Sequence, residues 1–139
     1  MTRQRSTKDP ELVRAFAIEC AQTCADMKCT DVMVLDVTGL SQVSDFIVIG
    51  TGTSDRQMRS VAQSLEDLGK ERGDPPYRTN RDDATSWVVA DFVDVVIHLF
   101  ESSQRMYYDI EALWRNGGRV EWRRPEDRRD EVERDSPTA

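Results

Sequence analysis

A single mixed α/β domain is the fold class that this sequence predicts: a five-stranded sheet flanked by helices, in the order α-β-β-α-β-β-β-α. Three observations carry that expectation. Apolar residues recur at helical spacing in three separated segments, and in five others they alternate or run unbroken over lengths suited to strands. A strand, a capped helix and a further strand follow one another from Asp45 to Tyr77, an order that favours a partly parallel sheet. A hairpin with its bend at Phe92-Val93-Asp94 then adds antiparallel pairs. A chain of 139 residues suits one such domain with a sizeable core.

The elements follow in order. Residues 1–8 are polar and are expected to be loose. Asp9 as N-cap, Pro10 at the first helical position and Glu11 in the first turn start a helix. Its apolar stripe is Val13, Phe16, Ala17, Cys20, Cys24 and Met27. Residues 32–37 read as a strand, and Gly39 and Ser41 mark the turn. Residues 45–50 form a second strand whose continuous apolar run places it centrally, covered on both faces. Ser54 and Gln57 make a capping box that opens a helix through Arg72, with Met58, Val61, Ala62, Leu65 and Leu68 inward. Gly73 is the expected left-handed residue after that helix, and Pro75-Pro76 forbid its continuation. Residues 77–79 suit a short edge strand and residues 80–86 a polar loop. Trp87 opens the hairpin. Ser102 or Ser103 then caps a third helix through about Arg115, closed by Gly117-Gly118, and Val120 and Trp122 turn back onto the domain. The domain is thus expected to span 9–122. Residues 123–139 hold five Arg against six acids and almost nothing apolar, a composition expected to be disordered.

Bulk properties narrow the function classes. Charged residues are 32% of the chain and the net charge is −7, which argues against a broad phosphate-binding footprint. No window holds 18 apolar residues, so no membrane span is expected. The first residues lack the apolar run of a secretory leader, and a cytoplasmic location is the simpler reading. Cys20, Cys24 and Cys29 are an odd set with no His or further Cys at ligand spacing, so they read as reduced, small core hydrophobes rather than a metal site. No cofactor is expected.

Four features carry possible chemistry. Gly50-x-Gly52-x-Ser54 lies between a strand and a helix N-terminus, where backbone amides hold anions, but it is neither a dinucleotide fingerprint nor a P-loop. The bland alternative is a tight turn with a good cap. Asp91 and Asp94 are paired carboxylates suited to Mg²⁺ or to acid–base work, yet their offset crosses the bend. Their structural alternative is a turn-forming Asp94 and a hydrogen-bonded Asp91. His98 has no second His to share a metal, and reads as a satisfied sheet histidine or an interface contact. Alternation puts Trp87, Val89 and Asp91 on one face of the first hairpin strand. It puts Asp94, Val96, His98 and Phe100 together on the second, opposite an apolar face of Val95, Ile97 and Leu99. Trp87 at a strand start and Phe92 at the bend are positions where a large apolar group can stay exposed as an interface anchor. For Trp87, core and interface weigh evenly.

Taken together, Asp45-Phe-Ile-Val-Ile-Gly-Thr-Gly-Thr-Ser-Asp-Arg-Gln57, Trp87-x-x-x-Asp91-x-x-Asp94-Val-Val-Ile-His98 and Arg105-x-x-Tyr108-x-x-Glu111-x-Leu113-Trp114 resemble the ribosomal silencing factor (Iojap-related) family. The likeness covers about Asp9 to Trp114. It implies a nucleotidyltransferase-like α/β fold without catalysis, and a translational repressor that binds the large ribosomal subunit on its ribosomal protein fourteen and blocks joining of the small subunit. Carried over by position, the partner surface would include Trp87, Asp91, Phe92, Asp94 and His98, flanked by Arg105, Tyr108, Leu113 and Trp114. An acidic surface meeting a basic ribosomal protein, with little direct nucleic-acid contact, fits the net charge. Two departures stand out: Asn80-Arg81 where relatives often carry Glu-Gly, and Val93 where they usually carry Gly, which implies a less sharp bend. The alternative reading is a nucleotide- or Mg-binding enzyme or sensor built on the glycine turn and the Asp91/Asp94 pair. A homodimer through the same aromatics is a further possibility.

Overall fold

The structure is a computed structural model that describes residues 9–41, 44–80, 87–101 and 118–128. Helix α1 (Pro10–Asp26) begins as its sequence dictates: the Asp9 carboxylate accepts from the Glu11 amide at 2.9 Å, and Pro10 occupies the first turn, where an N–H has no partner to lose. Its buried face is Val13, Phe16, Ala17, Cys20, Ala21 and Cys24. It ends in a pair of crossed bonds, Cys29 N–H to the Cys24 carbonyl at 3.0 Å and Lys28 N–H to the Ala25 carbonyl at 3.1 Å. This is a Schellman motif, with Lys28 at φ 78° in the left-handed place that glycine usually holds.

Strands β1 (Thr30–Asp36), β2 (Phe46–Gly52), β3 (Arg78–Asn80), β4 (Trp87–Asp91), β5 (Val95–Glu101) and β6 (Gly118–Val120), with helix α2 (Asp55–Glu71) after β2, complete the described elements. They form one six-stranded sheet in the order β3-β4-β5-β2-β1-β6. Only β2 and β5 pair in parallel; the other neighbours are antiparallel. Every residue of β2 is buried, as its unbroken apolar run requires of a central strand.

The mixed α/β class holds, and two details of the expected sheet are corrected. Among the described residues there are six strands rather than five: Gly118-Arg119-Val120 pairs with β1, and a three-residue strand beside two glycines gives too little periodicity to announce itself. The parallel partner of β2 is β5, two strands beyond the edge strand β3, because β3 pairs with β4 and β4 with β5 in antiparallel fashion. The third helix expected from 102 or 103 to 115 lies outside the described residues.

Helices α1 and α2 cover one face of the sheet. Their apolar stripes meet Val34, Phe46, Val48, Val88, Ala90, Val95, Ile97 and Leu99 in the main core. The opposite face carries a second cluster of Leu35, Val37, Ile47, Ile49 and Phe100, with Met33 and Trp87 packed on it. Trp122 does turn back onto the domain: its indole N–H donates to the Val32 carbonyl at 3.1 Å, and its own carbonyl accepts from Gln22 at 3.0 Å. Residues 123–128, expected in the disordered tail, are instead anchored. The Arg124 guanidinium bridges Asp26 at 2.6 Å and Asp127 at 2.7 Å, and 125–128 form one helical turn.

Candidate functional site: the aromatic face of the hairpin

The register of β4 on β5 sets Trp87 opposite Phe100, Val89 opposite His98 and Asp91 opposite Val96. Cross-strand partners share a face, so alternation along both strands brings Trp87, His98 and Phe100 together. The Trp87 and Phe100 rings stack at 5.2 Å between centroids, and Trp87 lies 5.9 Å from His98. The Trp87 indole N–H donates to His98 Nδ1 at 3.1 Å. Accepting at Nδ1 requires the neutral Nε2–H tautomer. Burial pushes the His98 pKa down from 6.5 to about 4, against the opposing pull of the Asp91 charge. The result is a half-buried indole whose one polar atom is already satisfied. What it has left to present is apolar.

The bend is built differently from the expectation. Phe92, expected as an exposed anchor, is 7% exposed and packs edge-on against Phe16 at 5.1 Å. It lies so close to α2 that a Cβ on Gly69 would come within 2.6 Å of its ring. Asp91 and Asp94 are 4% and 7% exposed. The Asp91 Oδ1 accepts the Val93 amide at 2.8 Å, and the Asp94 carbonyl accepts the Asp45 and Phe46 amides at 2.9 and 3.0 Å. The Asp91 side chain therefore braces the turn, and the Asp94 backbone holds the entry to β2. The bend is also no less sharp for having valine. Val93 sits at φ 75°, and the Asp94 amide donates back to the Phe92 carbonyl at 3.0 Å, the pattern of a strained γ-turn. The Asp91 carboxylate holds that strain in place.

The glycine turn is explained by packing. The Ser54 hydroxyl accepts the Gln57 amide at 3.1 Å, and the Gln57 side chain accepts the Thr53 amide at 2.8 Å and donates to the Met27 carbonyl at 2.8 Å. A Cβ on Gly52 would fall 2.2 Å from Met58 Cγ, so glycine there lets α2 approach its own strand. The Thr53 and Gln57 amides of this turn are thereby bonded within the chain. Among the described residues no group of three or more His, Cys, Asp or Glu side chains is placed to hold a metal, and no helix is long and apolar enough to cross a membrane. All three cysteines are buried and free, as expected of core thiols. Arg105, Tyr108, Leu113 and Trp114 lie outside the described residues.

The site thus gathers Trp87, His98 and Phe100 on one sheet face, with Trp87 at the end of the hairpin away from the bend of Asp91, Phe92 and Asp94. The bond from Trp87 makes His98 a satisfied sheet histidine, one of its two expected roles; which residue satisfies it depends on inter-strand register, which one strand's alternation does not reveal.

Comparison with known proteins places this architecture. The family model described as ribosomal silencing factor during starvation matches residues 10–139, well past the Asp9–Trp114 span of the motifs. The chain is 36% identical over 94 residues to the ribosomal silencing factor RsfS of Bacillus subtilis, spanning 68% of this chain and 80% of that protein. A crystal structure of a Chromobacterium violaceum protein superposes with a TM-score of 0.68 at 32% identity, covering 82% of this chain and 92% of that one. A mouse protein named for mitochondrial assembly of the ribosomal large subunit is 34% identical over 87 residues, covering 60% of this chain and 38% of its own length. Sequence motifs, strand order and these likenesses agree: the chain belongs to the ribosomal silencing factor family.

Proposed function

We propose that this silencing factor is a non-catalytic translational repressor of the cytoplasm that docks on the large ribosomal subunit, through its ribosomal protein fourteen, and sterically blocks the small subunit. The observation that carries the reading is the state of Trp87. It is half-buried at the start of β4, held by Phe100 and His98, with its N–H already bonded. A rigid indole with no unmet hydrogen bond is suited to anchor in an apolar site on a partner, since little ordering cost remains. Asp91, Asp94 and Phe92 shape the bend at the other end of the same hairpin. The net charge of −7 supports a basic protein as the docking partner rather than direct RNA contact, and it speeds and orients the encounter.

The test is a sucrose gradient of separated large and small subunits with the purified protein. The expected result is co-migration with the large subunit and a diminished joined-ribosome peak. Protein left at the top of the gradient, with joining unaffected, would overturn the reading.

A further inference from the structure

The cysteines have a geometry that core packing alone does not need. In the Schellman motif that closes α1, Cys24 supplies the carbonyl and Cys29 the amide of the crossed bond that spans more residues, at 3.0 Å. These two positions are the ones whose side chains the motif presses together. The two thiols are neighbours that shift each other's pKa, Cys24 up and Cys29 down. The Gln57 amide of α2 donates toward Cys29 Sγ at 3.9 Å from the other side. That donor favours a thiolate, and the neighbouring Cys24 moves the Cys29 pKa down despite burial. The neighbouring thiols behave oppositely: burial pushes Cys20 up, and the adjacent Cys29 pushes Cys24 up. Access is graded in the same direction, since Cys29 is 7% exposed while Cys20 and Cys24 are 0% exposed. Cys20 and Cys24 are one helical turn apart, where Cβ atoms stand ~5–6 Å from each other. That is too far for the ~3.8 Å that a disulfide requires.

We propose that Cys24 and Cys29 are a peroxide-sensitive dithiol, a modification site at the C-cap of α1 that closes reversibly to an intramolecular disulfide. The Cys29 sulfur attacks hydrogen peroxide; an S–O bond forms, the O–O bond breaks, and water leaves. Sulfur is oxidised by two electrons and the peroxide is reduced. The Cys24 sulfur then attacks Cys29; the S–S bond forms, the S–O bond breaks, and the departing hydroxide takes the Cys24 proton as a second water. Cys29 is thus the peroxide-reacting thiol and Cys24 the resolving one. The site lies at the C-terminal end of α1, and its oxidation does not depend on ribosome docking.

The experiment treats the full, folded chain with hydrogen peroxide and reads intact mass and free thiols. The expected product is a monomer lighter by about 2 Da, with one titratable thiol left and a peptide linking Cys24 to Cys29, reversed by dithiothreitol. Cys20→Ser should react identically. Cys24→Ala should stop at a sulfenic acid on Cys29 that dimedone traps, and Cys29→Ala should lose the fast reaction. Either variant failing to fold leaves the wild-type peptide map as the deciding measurement. A bridge that includes Cys20, a bridge between chains, or methionine oxidation ahead of any thiol loss would overturn the proposal.

Discussion

Phe92→Ala is the sharpest test of how the hairpin bend is built. The ring is 7% exposed, meets Phe16 edge-on at 5.1 Å and fills the space beside Gly69. Truncating a ring so enclosed costs ~3–5 kcal/mol, transfer and cavity terms together. Of this, ~0.5–1.5 kcal/mol belongs to the aromatic pair itself. Against a total of ~5–15 kcal/mol for a domain, that is a large fraction. Urea unfolding followed by circular dichroism should show the loss as a lower midpoint at unchanged slope. In a thermal scan the same loss is a drop of roughly 10–15 °C. A double-mutant cycle with Phe16→Ala isolates the pair term. A Phe92→Ala protein within ~1 kcal/mol of wild type, selectively weakened in ribosome binding, would refute the burial argument and restore Phe92 as a surface anchor.

Other outcomes follow from single features. Gly69→Ala pushes a methyl to 2.4 Å from the Asp74 carbonyl and 2.6 Å from Phe92, so it should destabilise by ~1–3 kcal/mol in the same unfolding assay. Val93→Gly should be more stable than Val93→Ala by about 1 kcal/mol, because any Cβ at φ 75° is strained; equal midpoints would show that the turn relaxes. For His98 the folded pKa of about 4 lies below the ordinary 6.5, so the unfolded chain takes up the proton first. Its contribution is whole above pH 6.5, is lost as pH falls toward 4, and amounts to about 1–2 kcal/mol between pH 7 and pH 5. His98→Asn should flatten that part of the stability–pH profile, and an unchanged slope would assign it to other groups.

The two described helices were legible because their signals are local. Asp9-Pro10 and Ser54 cap in the structure as their types require, and Gly73 takes φ 81° after α2. The burial of β2 followed from seven residues with no place for water. What was not legible depends on three-dimensional register or on residues acting against type. Strand β6 is too short to show a period. Phe92 looked exposed because a bend residue's direction is set by tertiary packing, here against Phe16 on α1. Lys28 hid the Schellman motif, since a lysine at a left-handed position carries none of glycine's signal. Val93 hid the γ-turn in the same way, and the Asp91 carboxylate two residues back is what stabilises it. The Trp87–His98 bond joins residues eleven apart, and only the pairing of β4 with β5 brings them together.

The most direct measurement of the central claim is the affinity of the purified large subunit for wild type and for Trp87→Ala, with a melting curve of each protein alongside. The account predicts a folded variant whose binding is weaker by ~2 kcal/mol, roughly 30-fold. A folded Trp87→Ala protein that binds the large subunit as tightly as wild type would contradict it.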